Sequence, residues 1–160
     1  MVRPHHDSVR IHIEAAPRAV WHLVADVSRM GEWSPVCRHC EWVAPATGPA
    51  PGARFVGRNR IAGLRWSREC EVLASEPGAE FAFQTLVGGR PSTEWRYSFI
   101  AGDTGGTEVI EQYTVTSTSA SPRWVQMLDA IPGLYGRSRA AMHDGMAETL
   151  RRIKAAAEAT

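Results

Sequence analysis

The spacing of hydrophobic residues changes twice along the chain. Over residues 8–14, Val9, Ile11 and Ile13 alternate with Arg10, His12 and Glu14, the period of a half-buried strand. Ala15-Ala16-Pro17 ends that run, and Pro17 suits the first position of a helix. Val20, Val24 and Val27, beside Trp21 and Leu23, carry a helical stripe to about Val27. Residues 28–33 form a second short helical turn. It stops before Pro35, because the residue preceding a proline avoids the α region.

Period two then returns. Strands are predicted over 37–43, 54–61, 65–73, 80–87, 93–100 and 107–116, separated by Pro- and Gly-bearing turns. That texture is an antiparallel meander. The last third is helical again. A short helix over 122–131 is halted by Pro132-Gly133, and a long one from Arg137 carries Met142, Met146, Leu150, Ile153 and Ala157 on one stripe. Residues 1–7, with His5 and His6, read as a frayed, solvated tail. The predicted class is α+β in a single domain over 1–160. A seven-stranded antiparallel sheet has two short helices after its first strand and one face covered by the long C-terminal helix.

Composition narrows the function classes. The chain has 160 residues, 44% hydrophobic and 22% charged, as a globular domain should. Eighteen basic against 17 acidic side chains leave a net charge of +1, which argues against a nucleic-acid binder that works through a basic face. No apolar window reaches the ~18 residues of a membrane helix, and residues 1–10 lack the apolar centre of a secretion signal. A cytoplasmic location is therefore expected, with Cys37, Cys40 and Cys70 reduced.

Cys37 and Cys40 have the spacing of a metal or redox pair, with His39 between them. Residues three apart on a regular strand face opposite sides, so both thiols reach one metal only across a bulge. The expectation is small buried thiols and no metal. No phosphate loop, zinc-hydrolase or serine-hydrolase signature is present, so no cofactor is expected.

Particular words in this layout carry a resemblance. Ile13-Glu14-Ala15-Ala16-Pro17, then residues 20–26 from Val20-Trp21 to Asp26, then Glu32-Trp33-Ser34-Pro35 resemble the opening of the helix-grip (SRPBCC) superfamily. Gly52-Ala53-Arg54-Phe55, Trp66 with Cys70-Glu71-Val72, Pro77-Gly78 with Phe81, and Gly106-Thr107 with Val109 resemble its later strand entries. The superfamily includes the START lipid-transfer domains, the birch-pollen allergen family and bacterial polyketide cyclase/dehydrase-like proteins.

The resemblance implies a helix-grip fold with a cavity between sheet and long helix. Alternation then offers a lining of Phe55, Gly57 and Asn59; Trp66, Arg68 and Cys70; Phe81 and Phe83; Trp95, Tyr97 and Phe99; and Val109, Glu111 and Tyr113. The long helix adds Met142, Gly145 and Met146, and Gly57 and Gly145 would leave useful volume. Trp33 and the segment 124–135 are expected around a mouth, the latter as a lid. Arg68 and Glu111 either face inward, where they would pair or grip a polar group, or face water. Tyr97, Tyr113 and Asn59 would bond the polar end of a ligand, and His143 reads as a surface residue. Arg68, Glu111 and Tyr113 are the candidates for catalysis.

The leading expectation is a monomer or homodimer that binds a small, ring-containing hydrophobic molecule, with no nucleic-acid or integral-membrane partner. The rival is a metal-free polyketide aromatase/cyclase or dehydrase using general acid–base steps. A third reading is a structural or regulatory protein with a vestigial cavity.

Overall fold

The computed structural model describes residues 5–117 and 134–159. Strand β1 (His6–Ile13) is followed by α1 (Pro17–Ala25), a 3-10 turn (Val27–Arg29) and α2 (Met30–Trp33). Six strands follow: β2 (Cys37–Trp42), β3 (Arg54–Ile61), β4 (Leu64–Glu76), β5 (Glu80–Val87), β6 (Arg90–Ala101) and β7 (Thr107–Val115); α3 (Leu134–Glu158) closes the series. All pairings are antiparallel, in the order β1-β7-β6-β5-β4-β3-β2. This is the expected helix-grip architecture. The helix predicted over 122–131, and residues 124–133 of the proposed lid, lie outside the described residues.

Local chemistry explains the element ends. Pro17 opens α1, whose Val20, Trp21 and Val24 are buried, and the Trp21 indole donates to the Glu80 carbonyl at 2.8 Å. Asp26 caps the 3-10 turn by accepting from the Ser28 N–H at 3.2 Å. Gly88 and Gly89 join β5 to β6 with φ of 59° and 76°, the left-handed pair that a two-residue hairpin requires. β6 starts at Arg90, earlier than predicted, because a register shift at Thr85/Leu86 accepts Pro91, which has no N–H to give a regular ladder. β1 also starts early. The His5 carbonyl accepts from the Val115 N–H at 2.8 Å and the His5 side chain is buried, so neither His5 nor Asp7 belongs to a frayed tail.

One sheet face holds the core. Met146, Leu150, Ile153 and Ala157 of α3 are buried, and Met142 is half-buried. The helix lies along β1 and is fastened there. Lys154 donates to the His12 carbonyl at 2.8 Å, and the Glu14 N–H donates to Glu158 at 2.9 Å. At the other end of the sheet α2 sits directly on β2. A Cβ on Gly31 would stand 2.2 Å from the Arg38 carbonyl oxygen, so only glycine permits that approach. Gly145 differs. A Cβ there would meet Pro35 Cγ at 3.7 Å, an ordinary contact, so this glycine is not what makes room beneath the helix.

Two outcomes follow. Leu150→Ala should lower unfolding free energy by ~2–5 kcal/mol in denaturant titration; a loss near zero would contradict the burial of the stripe. Gly145→Ala should raise stability by up to ~1 kcal/mol, whereas Gly31→Ala should lower it, and equal effects in thermal melts would contradict the packing of α2 on β2.

Candidate functional site

Antiparallel register brings the candidate residues together in rows. Val9, Glu111, Tyr97 and Phe81 oppose one another across β1, β7, β6 and β5. One step along, Asp7, Tyr113, Trp95 and Phe83 form a second row on the same face. Glu111 therefore faces the core, as one of the two sequence readings required, with 3% exposure. The Tyr97 hydroxyl donates to Glu111 Oε1 at 2.8 Å. Glu111 Oε2 is buried and has no hydrogen-bond partner among the described residues.

Burial decides the charge of this group. Removal from water pushes the Glu111 carboxyl up to about 8, against a smaller downward pull from the Tyr97 hydrogen bond. Burial, then the nearby Glu111, raises Tyr97 well above its ordinary value. Both groups are neutral at pH 7. Glu111 is then a carboxylic acid, and a hydrogen on Oε2 makes it a donor toward the apolar interior.

Beside it, Tyr113 shares a hydrogen bond with His5 Nε2, and the two rings lie 5.0 Å apart. Burial, then the positive charge of Arg139, holds His5 below its ordinary value. Sequence reading missed His5. Its only signal was phase: His5 stands two residues before Asp7 and so continues the inward set of β1. Around this polar group the wall is aromatic. Trp95 packs on Tyr113 at 5.3 Å, and Trp42, Phe55, Phe83 and Phe81 form a chain of ring contacts at 5.2–6.0 Å.

Other candidates are placed elsewhere. Arg68 shares the inner face but lies three strands from Glu111, ~14 Å along the sheet at ~4.8 Å per strand. The two make no ion pair, contrary to one expectation. Asn59 and Trp66 oppose each other near the far end of β3 and β4. They line an open depression of about 450 Å³ with Arg38, Arg58, Arg60, Arg65 and Ser67. Asn59 is thus separated from Tyr97 and Tyr113, with which it was expected to act. Another open depression, about 620 Å³, follows the loop over 43–54 and includes none of the candidates. Trp33 is buried in the core, with the Arg29 guanidinium 5.2 Å above its ring. His143 is exposed and bonds Asp7 at 2.8 Å.

The cysteines overturn a premise. The β2 register shifts between Cys37 and His39, and this bulge puts both thiols on one face with sulfurs 3.2 Å apart. The Cys40 contact holds the Cys37 thiol below its usual range against opposing burial. The same contact, together with burial, pushes Cys40 up, and burial pushes Cys70 up to about 12. Among the described residues no three His, Cys, Asp or Glu side chains gather as a metal cluster, and no helix is long and apolar enough to cross a membrane.

Comparison with known proteins agrees with this architecture. The solution structure of the polyketide cyclase-like protein Cgl2372 from Corynebacterium glutamicum is 31% identical, covers 96% of this chain and 91% of its own, and superposes with a TM-score of 0.62. The di-domain ARO/CYC protein StfQ of the steffimycin biosynthetic pathway is 14% identical with a TM-score of 0.74. It covers 97% of this chain, which spans 51% of StfQ. Ara h 8.0201 is 12% identical with a TM-score of 0.68, over 99% of this chain and 100% of its own. At such identities the last two share the fold. No functionally curated protein matches the sequence. The sequence profile described as polyketide cyclase/dehydrase and lipid transport matches residues 4–158, and the chain belongs to that family.

Proposed function

We propose that this protein binds a small, mostly apolar, ring-containing molecule between the inner sheet face and α3. Glu111 donates a hydrogen bond to a carbonyl or hydroxyl oxygen of the guest. The observation that carries this reading is the neutral, buried carboxyl whose Oε2 has no hydrogen-bond partner among the described residues, set among Trp95, Tyr113, Phe81 and Phe83. An unmet polar atom in the interior costs ~1–3 kcal/mol, and a guest oxygen recovers that. Flat rings match an aromatic wall, and such sites draw most affinity from apolar burial with few polar contacts. Membership in a cyclase/dehydrase and lipid-transport family supports a hydrophobic guest.

The second reading is aromatase/cyclase chemistry, favoured by a buried acid, Glu111, one cross-strand row from Tyr113, to which the base His5 is bonded. Glu111, as a neutral acid, would polarise a ketone oxygen. Neutral His5, bonded to Tyr113, would accept a proton from the adjacent carbon, leaving an enolate to attack a second carbonyl and close a ring. StfQ and BexL, a second di-domain ARO/CYC protein 20% identical to this chain, come from the steffimycin and BE-7585A biosynthetic pathways.

A hydroxyanthraquinone titrated against tryptophan fluorescence should bind, and a sugar or nucleotide should not. Glu111→Ala should weaken binding by about ten-fold, the worth of one net hydrogen bond. No signal with any fused-ring probe, and no guest in native mass spectrometry, would defeat the binding reading. Turnover of a poly-β-ketone mimic that Glu111→Gln abolishes, with binding intact, would favour the cyclase.

Proton linkage gives a separate outcome. The folded carboxyl holds its proton up to about 8, while the unfolded one loses it near 4.5. Between those values the native state binds more protons, so stability should fall as pH rises through the interval and level off above it. Glu111→Gln should remove that slope, and an unchanged slope in urea melts would place the carboxyl in water.

A further inference from the structure

We propose that Cys37, Cys40 and Met30 form a binding site for a thiophilic monovalent cation of the copper(I) type. Its sulfur ligands are distinct from the residues assigned to the Glu111 site. Three features of the fold assemble it. The bulge between Cys37 and His39 turns both thiols to the inner face, with sulfurs 3.2 Å apart. Gly31 lets α2 press onto the Arg38 carbonyl, which brings the Met30 thioether to 3.7 Å from Cys40 Sγ. Gly57, opposite Cys40 on β3, presents no side chain, and a Cβ there would stand 3.5 and 3.6 Å from the two cysteine sulfurs.

Donor chemistry selects the ion. Thiolate and thioether ligands favour copper(I), whereas a structural zinc site needs four ligands from Cys, His or carboxylate. The described residues gather no such set here. Three sulfurs around one ion at ~2.3 Å stand ~4 Å apart by trigonal geometry, so the pair at 3.2 Å and the thioether contact at 3.7 Å need to open by less than ~1 Å. Exposures of 6% at Cys37 and 1% at Cys40 keep water from the ion. Entry lies at the Cys37 end, since its strand partner Asn59 lines the open depression beside Arg38.

Charge balance is also met. Two thiols give up two protons to solvent and take one cation, which leaves the complex with one negative charge. Arg68 lies in the same cross-strand row, Cys40–Gly57–Arg68, and its guanidinium has no ion pair or hydrogen bond among the described residues. With Gly57 between them, nothing from β3 stands in its path toward the sulfurs.

The full-length protein, reduced and free of oxygen, is titrated with copper(I) against a chromophoric copper(I) chelator. One equivalent should be retained per chain. Cys37→Ser and Cys40→Ser should each lose affinity by more than ~100-fold, beyond the range of outer-shell changes, and Arg68→Gln by about ten-fold. Met30→Leu should weaken copper(I) but leave zinc(II) affinity unchanged, and Cys70→Ser should change neither. Circular dichroism separates loss of the site from loss of the fold. X-ray absorption of the unmutated complex should show three sulfur neighbours at ~2.3 Å. The proposal is overturned if the chelator strips the unmutated chain as readily as Cys37→Ser. It is overturned equally if Cys70→Ser loses as much as Cys40→Ser, if copper bridges two chains, or if the absorption spectrum shows nitrogen, oxygen or only two sulfur ligands.

Discussion

Pairing of the first strand with the last is the constraint on which the molecule depends. β7 lies between β1 and β6, so residues about a hundred positions apart become neighbours. Because side chains alternate strictly along a strand, one register fixes which half of each strand looks inward. In this register Glu111, Tyr113 and Tyr97 share a face with Val9, Ile11 and Ile13, and α3 is laid along β1 to cover them. A slip of one residue would turn the carboxyl to water and bury Ile110 and Gln112 instead. The chemistry of the site is thus a consequence of strand pairing as much as of residue choice.

Much of this was legible in the amino-acid order, for a physical reason. Period two is rigid, so reading every second residue placed Phe55, Phe83 and Tyr97 on one face without knowledge of their partners, and offered Glu111 to that face as one of two readings. The helical stripe of Met146, Leu150 and Ile153 was equally plain. Reading failed where the period broke or where distance mattered. The bulge at Cys37/His39 reversed the facing of one cysteine. Bulges are set by how an edge strand meets its neighbour, which local composition does not encode. His5 was lost because two histidines near a terminus look solvated. A pairing of Arg68 with Glu111, one of the readings offered, rested on chemical complementarity alone, although a meander puts three strand steps between them.

A second theme is how little polar chemistry the inner face carries. The fold is shared with proteins at 31%, 14% and 12% identity, so the architecture tolerates nearly wholesale replacement of side chains. What distinguishes one such protein from another is then a handful of groups whose protonation the interior dictates. Here desolvation keeps a carboxyl neutral, and the neutral form is what turns an acceptor into a donor. The same carboxyl on the outer face would be an ordinary surface charge.

The bulge in β2 has a further consequence, for life in a crowded solution. β2 and β1 are the two margins of an open sheet, and an open margin is a template on which another chain can add a strand. A bulge twists such a margin away from flatness and interrupts its ladder of free backbone groups. Exposed Arg38 and His39 flank the irregularity, and α2 lies against the same strand. One extra residue in one strand therefore acts as a guard against self-templated aggregation at the end of the sheet where the two thiols meet.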